Sequence, residues 1–349
     1  IINTIIRLNT NYEITNYDSE ISAEYCDIYG GYEGQGNIDL NPLFIEPSAD
    51  NYNVYDISPC INAGSPQLTD PDGTRSDIGV YFNYHPEFNQ SRLLYVSVDG
   101  SDETGDGSFD HPYRTIQYSI EQSNNYDTVL VLPGEYIENI HIYKQDITLS
   151  SNYMFSNDSS DIYQTVHWSQ FASHGNIIFE LCDDLAAVQG LTLGHTNATG
   201  AAIMCSYAHP IIQNNIIVNN HAHGFGGGIR LEYSNPKVTS NIIRDNIAAI
   251  NGGAFYCNGS NPLIYSNLIH DNQAVNAGGG ILCHGSSPII MNNTIVDNRA
   301  AAGGGIYCTS RGSVPVITNS IIRHNYESNI EGDNPIISYS NIQGGWEGE

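Results

Sequence analysis

The sequence predicts an all-β chain folded as a right-handed parallel β-helix, a solenoid of roughly 26-residue coils with a short N-terminal capping helix. Three observations carry this. A 26-residue period holds its register through the second half of the 349-residue chain. Each period contains short β-branched runs punctuated by Gly, Pro, Asn and Ser every few residues, with no helical spacing inside it. A stretch with helical spacing, Thr115–Ser123, lies ahead of the repeats, with Ile116 and Ile120 on one face. Such a helix covers the open strand edges at the start of a solenoid.

The period is visible residue by residue. Asn215, Asn241, Asn267, Asn293 and Asn319 stand 26 apart, as do Leu191, Ile217, Ile243, Ile269, Ile295 and Ile321. Pro210, Pro236, Pro262 and Pro288 keep the same step, and so do Ile203, Ile229, Phe255 and Ile281, with Ile306 following after 25. A leucine-rich repeat has a similar length, but its Leu-x-x-Leu-x-Leu strand is absent. Strand-only coils stacked at about 4.8 Å fit instead, and parallel crossovers are right-handed in nearly all cases.

In-register stacking gives each column a physical meaning. Buried Asn at a sharp turn passes amide hydrogen bonds from coil to coil, satisfying groups that the turn would orphan. The five asparagines above form one expected ladder, and Asn220, Asn246, Asn272 and Asn298 a second. Glycine at the triple-Gly turn supplies the backbone freedom of a tight corner, and the Ile columns fill the core. Cys205, Leu231, Cys257, Cys283 and Cys308 share a column. They read as reduced core thiols, with an inter-coil disulfide as the geometric alternative. None of the seven cysteines forms a CxxC pair, which argues against zinc or redox chemistry.

A longer period joins the two ends. Asn3–Asn9 matches Asn319–Asn325, and Cys26–Gly34 matches Ser340–Gly348, at offsets of 316 and 314 residues. The expected organisation is therefore residues 1–88 as the C-terminal coils and closing segment of a preceding module, and 89–349 as a second module without its closing segment. His85–Ser91 reads as the polar linker. The start on Ile1 rather than Met reads as a mature fragment or partial chain, so a missing signal peptide says nothing about compartment.

These residues carry a resemblance. Residues 95–140, from "YVSVDGSDETGDGSFDHPYRTIQYSI" to "DTVLVLPGEYIENI", resemble the opening of bacterial right-handed parallel β-helix repeat proteins of the pectate-lyase-like superfamily. The "GGGI" and "NPxIxxNxIxxN" phrases are similar to its generic coil. Ser58–Gly64 with Asp70–Tyr81 is similar to the closing motif of its large surface-anchored members. The resemblance implies the fold. Function is left open by it, because this fold hosts lyases, hydrolases, adhesins and passive stalks.

Charge narrows the partners. The net charge is −27, yet only 14% of residues are charged, because Lys and Arg are scarce. Clustered cations for nucleic acid or for an anionic membrane surface are missing, and no apolar run is long enough to span a bilayer. A lyase of the resembled superfamily needs a cationic base beside calcium-holding carboxylates. On the strand after the triple Gly, the outward positions include Arg230, Glu232, Tyr256 and His284, a candidate carbohydrate-binding patch, with His221 and His223 on the preceding loop. A paired Asp/Asp of hydrolase type is absent from this column. Asp102 and Asp106, in a loop with alternating oxygens and Gly, are candidate calcium ligands, though a distal bidentate Glu is lacking; Asp70–Gly73 is weaker. Asp245, Asp271 and Asp297 form an outward acidic column.

The reading these features favour is a structural module of a tandemly repeated extracellular or cell-surface protein, bacterial in type: a stalk, fibre or adhesin meeting neighbouring copies head to tail. No cofactor is required, although calcium is an option. The alternative is a secreted, calcium-dependent polysaccharide lyase or carbohydrate-binding β-helix.

Overall fold

The structure is a computed structural model and describes residues 1–7, 14, 21–39, 42, 44–46, 51–54, 58–69, 75–79, 92–168, 175–194, 197–198, 200–309, 312–332 and 335–345. The linker at 85–91 and the turn at 70–73 lie outside the described residues. Two compact units form, 1–90 and 91–349.

In the second unit each coil contributes one short strand to each of three long sheets. Ile211–Gln213 lies in a ten-stranded sheet, Ile216–Val218 in a nine-stranded sheet, His221–Ala222 in a four-stranded ribbon and Ile229–Glu232 in an eight-stranded sheet. The chain then returns to Lys237–Thr239, which pairs in parallel with Ile211–Gln213 at Ile211↔Lys237. Side chains alternate with the pleat: Ile229 and Leu231 are buried while Arg230 and Glu232 point outward. The inward columns make one continuous core, from Val96 through Ile203, Ile229, Phe255, Ile281 and Ile306 to Ile322. Cys205, Leu231, Cys257, Cys283 and Cys308 are paired in one column of that core, and all seven cysteines are free and buried.

Three of the four corners follow one rule. A residue in the left-handed region is followed by a buried polar side chain. Ser240, Ser266 and Asn292 have φ near +56°, and Asp245, Asp271 and Asp297 likewise. Behind the first set, Asn241 Nδ2 donates to Asn267 Oδ1 and Asn267 Nδ2 to Asn293 Oδ1, at 3.0 and 3.1 Å. Behind the second, Asn246 Nδ2 donates to Asn272 Oδ1 and Asn272 Nδ2 to Asn298 Oδ1, each at 2.9 Å. Each amide also serves the backbone. Asn267 Oδ1 accepts from Asn241 N, and its Nδ2 donates to Val238 O and Tyr265 O. A third ladder, of serines, runs along the next corner: Ser234 N donates to Ser260 Oγ, Ser260 N to Ser286 Oγ and Ser286 N to Ser313 Oγ. The fourth corner is glycine. Gly278 has φ +67°, and a Cβ on Gly279 would sit 2.5 Å from Gly304 O in the next coil, so side chains are excluded by both conformation and stacking.

Three column assignments from the 26-residue step need correction. The chain drops one residue between Ala300 and Ala302, since Ala277 pairs with Ala302. It then gains two between Cys308 and Ser313, so later corners fall 27 residues on. Asn293 N therefore donates to Ser320 Oγ, and Asn298 N to Asn325 Oδ1. Asn319 is not a ladder residue: it is exposed and takes the left-handed position at φ +49°. Ile322 fills the core column and pairs with Ile295, whereas Ile321 is 44% exposed. At the other end Leu193 pairs with Ile217, and Leu191 instead heads the asparagine ladder, its N–H donating to Asn215 Oδ1.

The solenoid opens under the helix Ile116–Gln122, N-capped by Thr115, which buries Ile116, Ser119 and Ile120. Glu138 accepts from Ile116 N and Gln117 N, satisfying two of the amides a helix start leaves free. Burial nevertheless pushes its carboxyl above the usual range. In the first unit, Ile5–Ile6 pairs in parallel with Asp27–Ile28, and Phe44–Glu46 forms an antiparallel pair with Asn51–Val54. Ala23, Cys26 and Ile28 form its core against Ile6 and Ile14.

Asn267→Ala strips partners from buried groups on both neighbouring coils. At about 1–3 kcal/mol for each orphaned group, unfolding in urea should show a loss of about 3 kcal/mol or more. Asn319→Gly, at an exposed left-handed position, should stay within about 0.5 kcal/mol of the parent; equal losses would contradict the corrected register.

Candidate functional site

The outward face of the eight-stranded sheet carries the predicted patch. Arg230 and Glu232 lie on one strand, and its register sets Arg230 beside Tyr256, Glu232 beside Asn258 and Asn258 beside His284. The charges are paired within the face. Arg230 Nε donates to Glu232 Oε1 at 2.8 Å, and Asn258 Nδ2 donates to Glu232 Oε2. The guanidinium lies 5.8 Å from the Phe225 ring, which packs at 4.6 Å against Tyr256. Tyr256 is thus only 8% exposed and offers no open ring to a ligand. His284 is half-buried. His221, a strand residue of the four-stranded ribbon rather than of a loop, meets His223 edge to face at 5.7 Å.

The open aromatics lie elsewhere. Tyr207 and Tyr233, one coil apart just beyond this sheet, stack at 5.2 Å and 15° between planes, and are 57% and 54% exposed. Both occupy the left-handed region, at φ +47° and +50°. They hold the corner position that Gly259 and Gly285 take in later coils, which is why the periodic pattern did not reveal them.

The metal candidates are engaged by the chain. Asp102 accepts from Arg114 N and Thr115 N through Oδ1 and from Thr115 Oγ1 through Oδ2, so it fastens the start of the capping helix. Asp106 accepts from Ser108 N, and hydrogen bonding to Ser108 holds its carboxyl below the usual range. The two bind different turns. In the acidic column Asp245 pairs with Arg244 and Asp271 with His270. Among the described residues no cluster of three His, Cys, Asp or Glu is placed to hold a metal ion.

The terminal coils show a correspondence. In the first unit Ile5 pairs with Asp27 and Ile6 with Ile28; in the second Ile321 pairs with Asn341 and Ile322 with Ile342. These are the same residues under the 316 and 314 offsets. The isolated bridge Ile2↔Glu24 likewise answers Thr318↔Ser338. Arg7 binds Asp27 Oδ1 at 2.7 Å, and Arg323 binds Asn341 Oδ1 at 2.8 Å. The left-handed corners repeat too: Asn3 at +52° and Asn319 at +49°, Tyr25 at +52° and Tyr339 at +48°.

Residues 113–321 match the family described as "Right handed beta helix region". The chain belongs to the right-handed β-helix family. Among solved structures it is similar to pectin methylesterase PemA from Erwinia chrysanthemi, with 11% identity over 68% of this chain and 80% of that one and a TM-score of 0.43. It is also similar to the Aspergillus niger pectin methylesterase, with 12% identity over 71% and 84% and a TM-score of 0.46. Pectate lyase Pel9A follows at 11% over 72% and 78%, TM-score 0.40. No curated protein matches the sequence.

Inside the β-helix core, burial works against charge on His167 and on the Cys257 thiol. His167 pairs with Tyr136 and Leu193 on the adjacent strands and occupies the core column that Ile217 and Ile243 fill later. It is 1% exposed, and neither ring nitrogen finds a partner at hydrogen-bonding geometry. Burial pulls its pKa down to about 4, against a small opposing contribution from the Glu138 backbone. Burial likewise pushes the Cys257 thiol up to about 12. His167 precedes the repeats, so the periodic pattern did not single it out.

Two outcomes follow. The unfolded chain takes up a proton at His167 near pH 6.5 and the folded chain only near pH 4. Stability is then full above pH 6.5 and falls with pH through this window, at about 1.4 kcal/mol per unit or about 3 kcal/mol in total. His167→Leu should remove that slope from urea melts taken across the window. Iodoacetamide at pH 8 should label none of the seven cysteines in the folded chain and all of them in urea.

Proposed function

We propose that this β-helix is a structural module of a tandemly repeated extracellular or cell-surface protein of bacterial type, serving as a stalk, fibre or adhesin. The observation that supports this reading is the doubled terminal coil. One chain carries two copies of the same strand pair, with the same register, the same left-handed corners and an Arg reaching the same strand position, Arg7 to Asp27 and Arg323 to Asn341. A single catalytic domain has no use for that duplication, whereas an array of modules produces it. The sheet face agrees, since its Arg230 is tied to Glu232 and its Tyr256 is covered. Module ends meeting head to tail make an open, heterologous contact, which builds lengthwise.

A second reading, a carbohydrate-binding face, is favoured by the exposed Tyr207–Tyr233 stack one corner from Arg230 and Glu232. Flat aromatic pairs of this kind suit the apolar faces of sugar rings.

Two measurements decide. The coding sequence on either side of this chain should repeat the motifs of 92–345 at a spacing near 315 residues; non-repeating flanks would sink the module reading. Incubation with calcium and a panel of acidic and neutral polysaccharides should give no unsaturated, ultraviolet-absorbing product. Product that vanishes in Arg230→Ala makes the protein a lyase, and retention on immobilised polysaccharide that is lost in Tyr233→Ala supports the second reading.

A further inference from the structure

The correspondence between terminal coils also exposes a difference. In the first unit the coil is covered by described residues that follow it, within 32–39, 58–69 and 75–79. Ile38 adds a parallel bridge to the edge of Asp27–Ile28: Ile38 N donates to Cys26 O at 2.8 Å and Ile28 N to Ile38 O at 3.0 Å. Asn37 acts as the next ladder residue, its Oδ1 accepting from Cys26 N and its Nδ2 donating to Ala23 O. Asp39 accepts from Arg7 through Oδ1 and from Gly30 N through Oδ2. Asn3 is gripped by Ser65 N, by the Ser76 hydroxyl and by Gly79 N. Arg75 lies 5.6 Å over the Tyr25 ring, and Gly36 passes so close to that ring that a side chain would collide with it.

Every receptor group of that contact recurs at the end of the second unit, uncovered. Tyr25 is 9% exposed, whereas its counterpart Tyr339 is 87% exposed. Asp27 is fully buried and its counterpart Asn341 is exposed. Ser340, standing where Cys26 stands, accepts from Ser320 N and so holds the ladder position. Among the described residues nothing lies beyond it in the place Asn37 takes. Asn341–Ile342 is the end strand of the nine-stranded sheet, an edge that presents unpaired backbone groups to another chain segment. Arg323 touches Asn341, a neutral partner, where Arg7 has two carboxylates.

We propose that the last coil of the second unit, Ile336–Gly345, is a docking site for a polypeptide segment of the chemistry of residues 32–79. The segment adds a parallel strand along Asn341–Ile342, sets an asparagine at the head of the ladder over Ser340, places a carboxylate on Arg323 and closes over Tyr339 with glycine and arginine. The source of such a segment rests on the module reading; the docking itself does not.

The test appends a second copy of residues 32–79 after Gly345 of the full chain and, separately, adds the same segment as a free peptide to the unmodified chain. Nitration of Tyr339 by tetranitromethane and amide exchange at Ser340, Ile342 and Gly344, the counterparts of the Cys26, Ile28 and Gly30 amides bound by residues 37–39, should each slow by about tenfold or more in either format. Asn37→Ala with Asp39→Ala, made only in the added copy, should restore the unprotected rates, as should Arg323→Ala. A folded chain in which neither format slows Tyr339 nitration or amide exchange overturns the docking. Non-repeating flanking sequence would overturn the module reading while leaving a positive docking result intact.

Discussion

The constraint on which the second unit depends is that a coil cannot turn a corner alone. At the asparagine and serine corners, each turn puts one residue in the left-handed region and leaves a backbone N–H facing inward, where no water reaches it. The group is satisfied only by a side chain on the next coil, as Asn241 N is by Asn267 Oδ1 and Ser234 N by Ser260 Oγ. An orphaned group of that kind costs about 1–3 kcal/mol, so coils must stack in register before any one of them is stable. Hydrophobic columns reinforce the register without setting it, since a core of Ile, Leu, Phe and Cys tolerates small shifts better than a chain of amides does.

That coupling explains what the sequence disclosed. A ladder demands the same residue type at the same phase, so the Asn and Ile columns from 200 onward were readable by spacing alone. The capping helix was readable from Ile116 and Ile120, because four-residue spacing breaks the strand pattern. Legibility failed where phase was lost or function was local. The residue dropped before Ala302 and the two gained after Cys308 cancel almost completely, so a fixed step of 26 lands on Asn319, one residue short of Ser320. The serine ladder was not legible as a ladder, because its column starts from Ala208 in place of a serine.

The candidate site was legible only as a set of neighbours. Spacing placed Arg230, Glu232, Tyr256 and His284 on adjacent strands, and the register agrees. Spacing could not show that Arg230 is tied to Glu232 or that Phe225 lies over Tyr256, because Phe225 enters from the glycine corner. Asp102 shows the same limit from another side. Its loop has the composition of a cation turn, yet its oxygens are used by Arg114 and Thr115, residues distant in sequence from the loop.

The stacking also fixes how a coil responds to tension. Hydrogen bonds between coils lie along the solenoid axis, and a covalent turn of 26 residues is stored between one coil and the next. A stacked coil occupies about 4.8 Å of that axis; pulled out straight, the same residues span about 85 Å. Detaching one coil thus releases nearly twenty times the length it held. A load that strips a terminal coil is relieved at once by slack, and the coils behind it keep their ladders. Failure in such a stack proceeds from an end, one turn at a time.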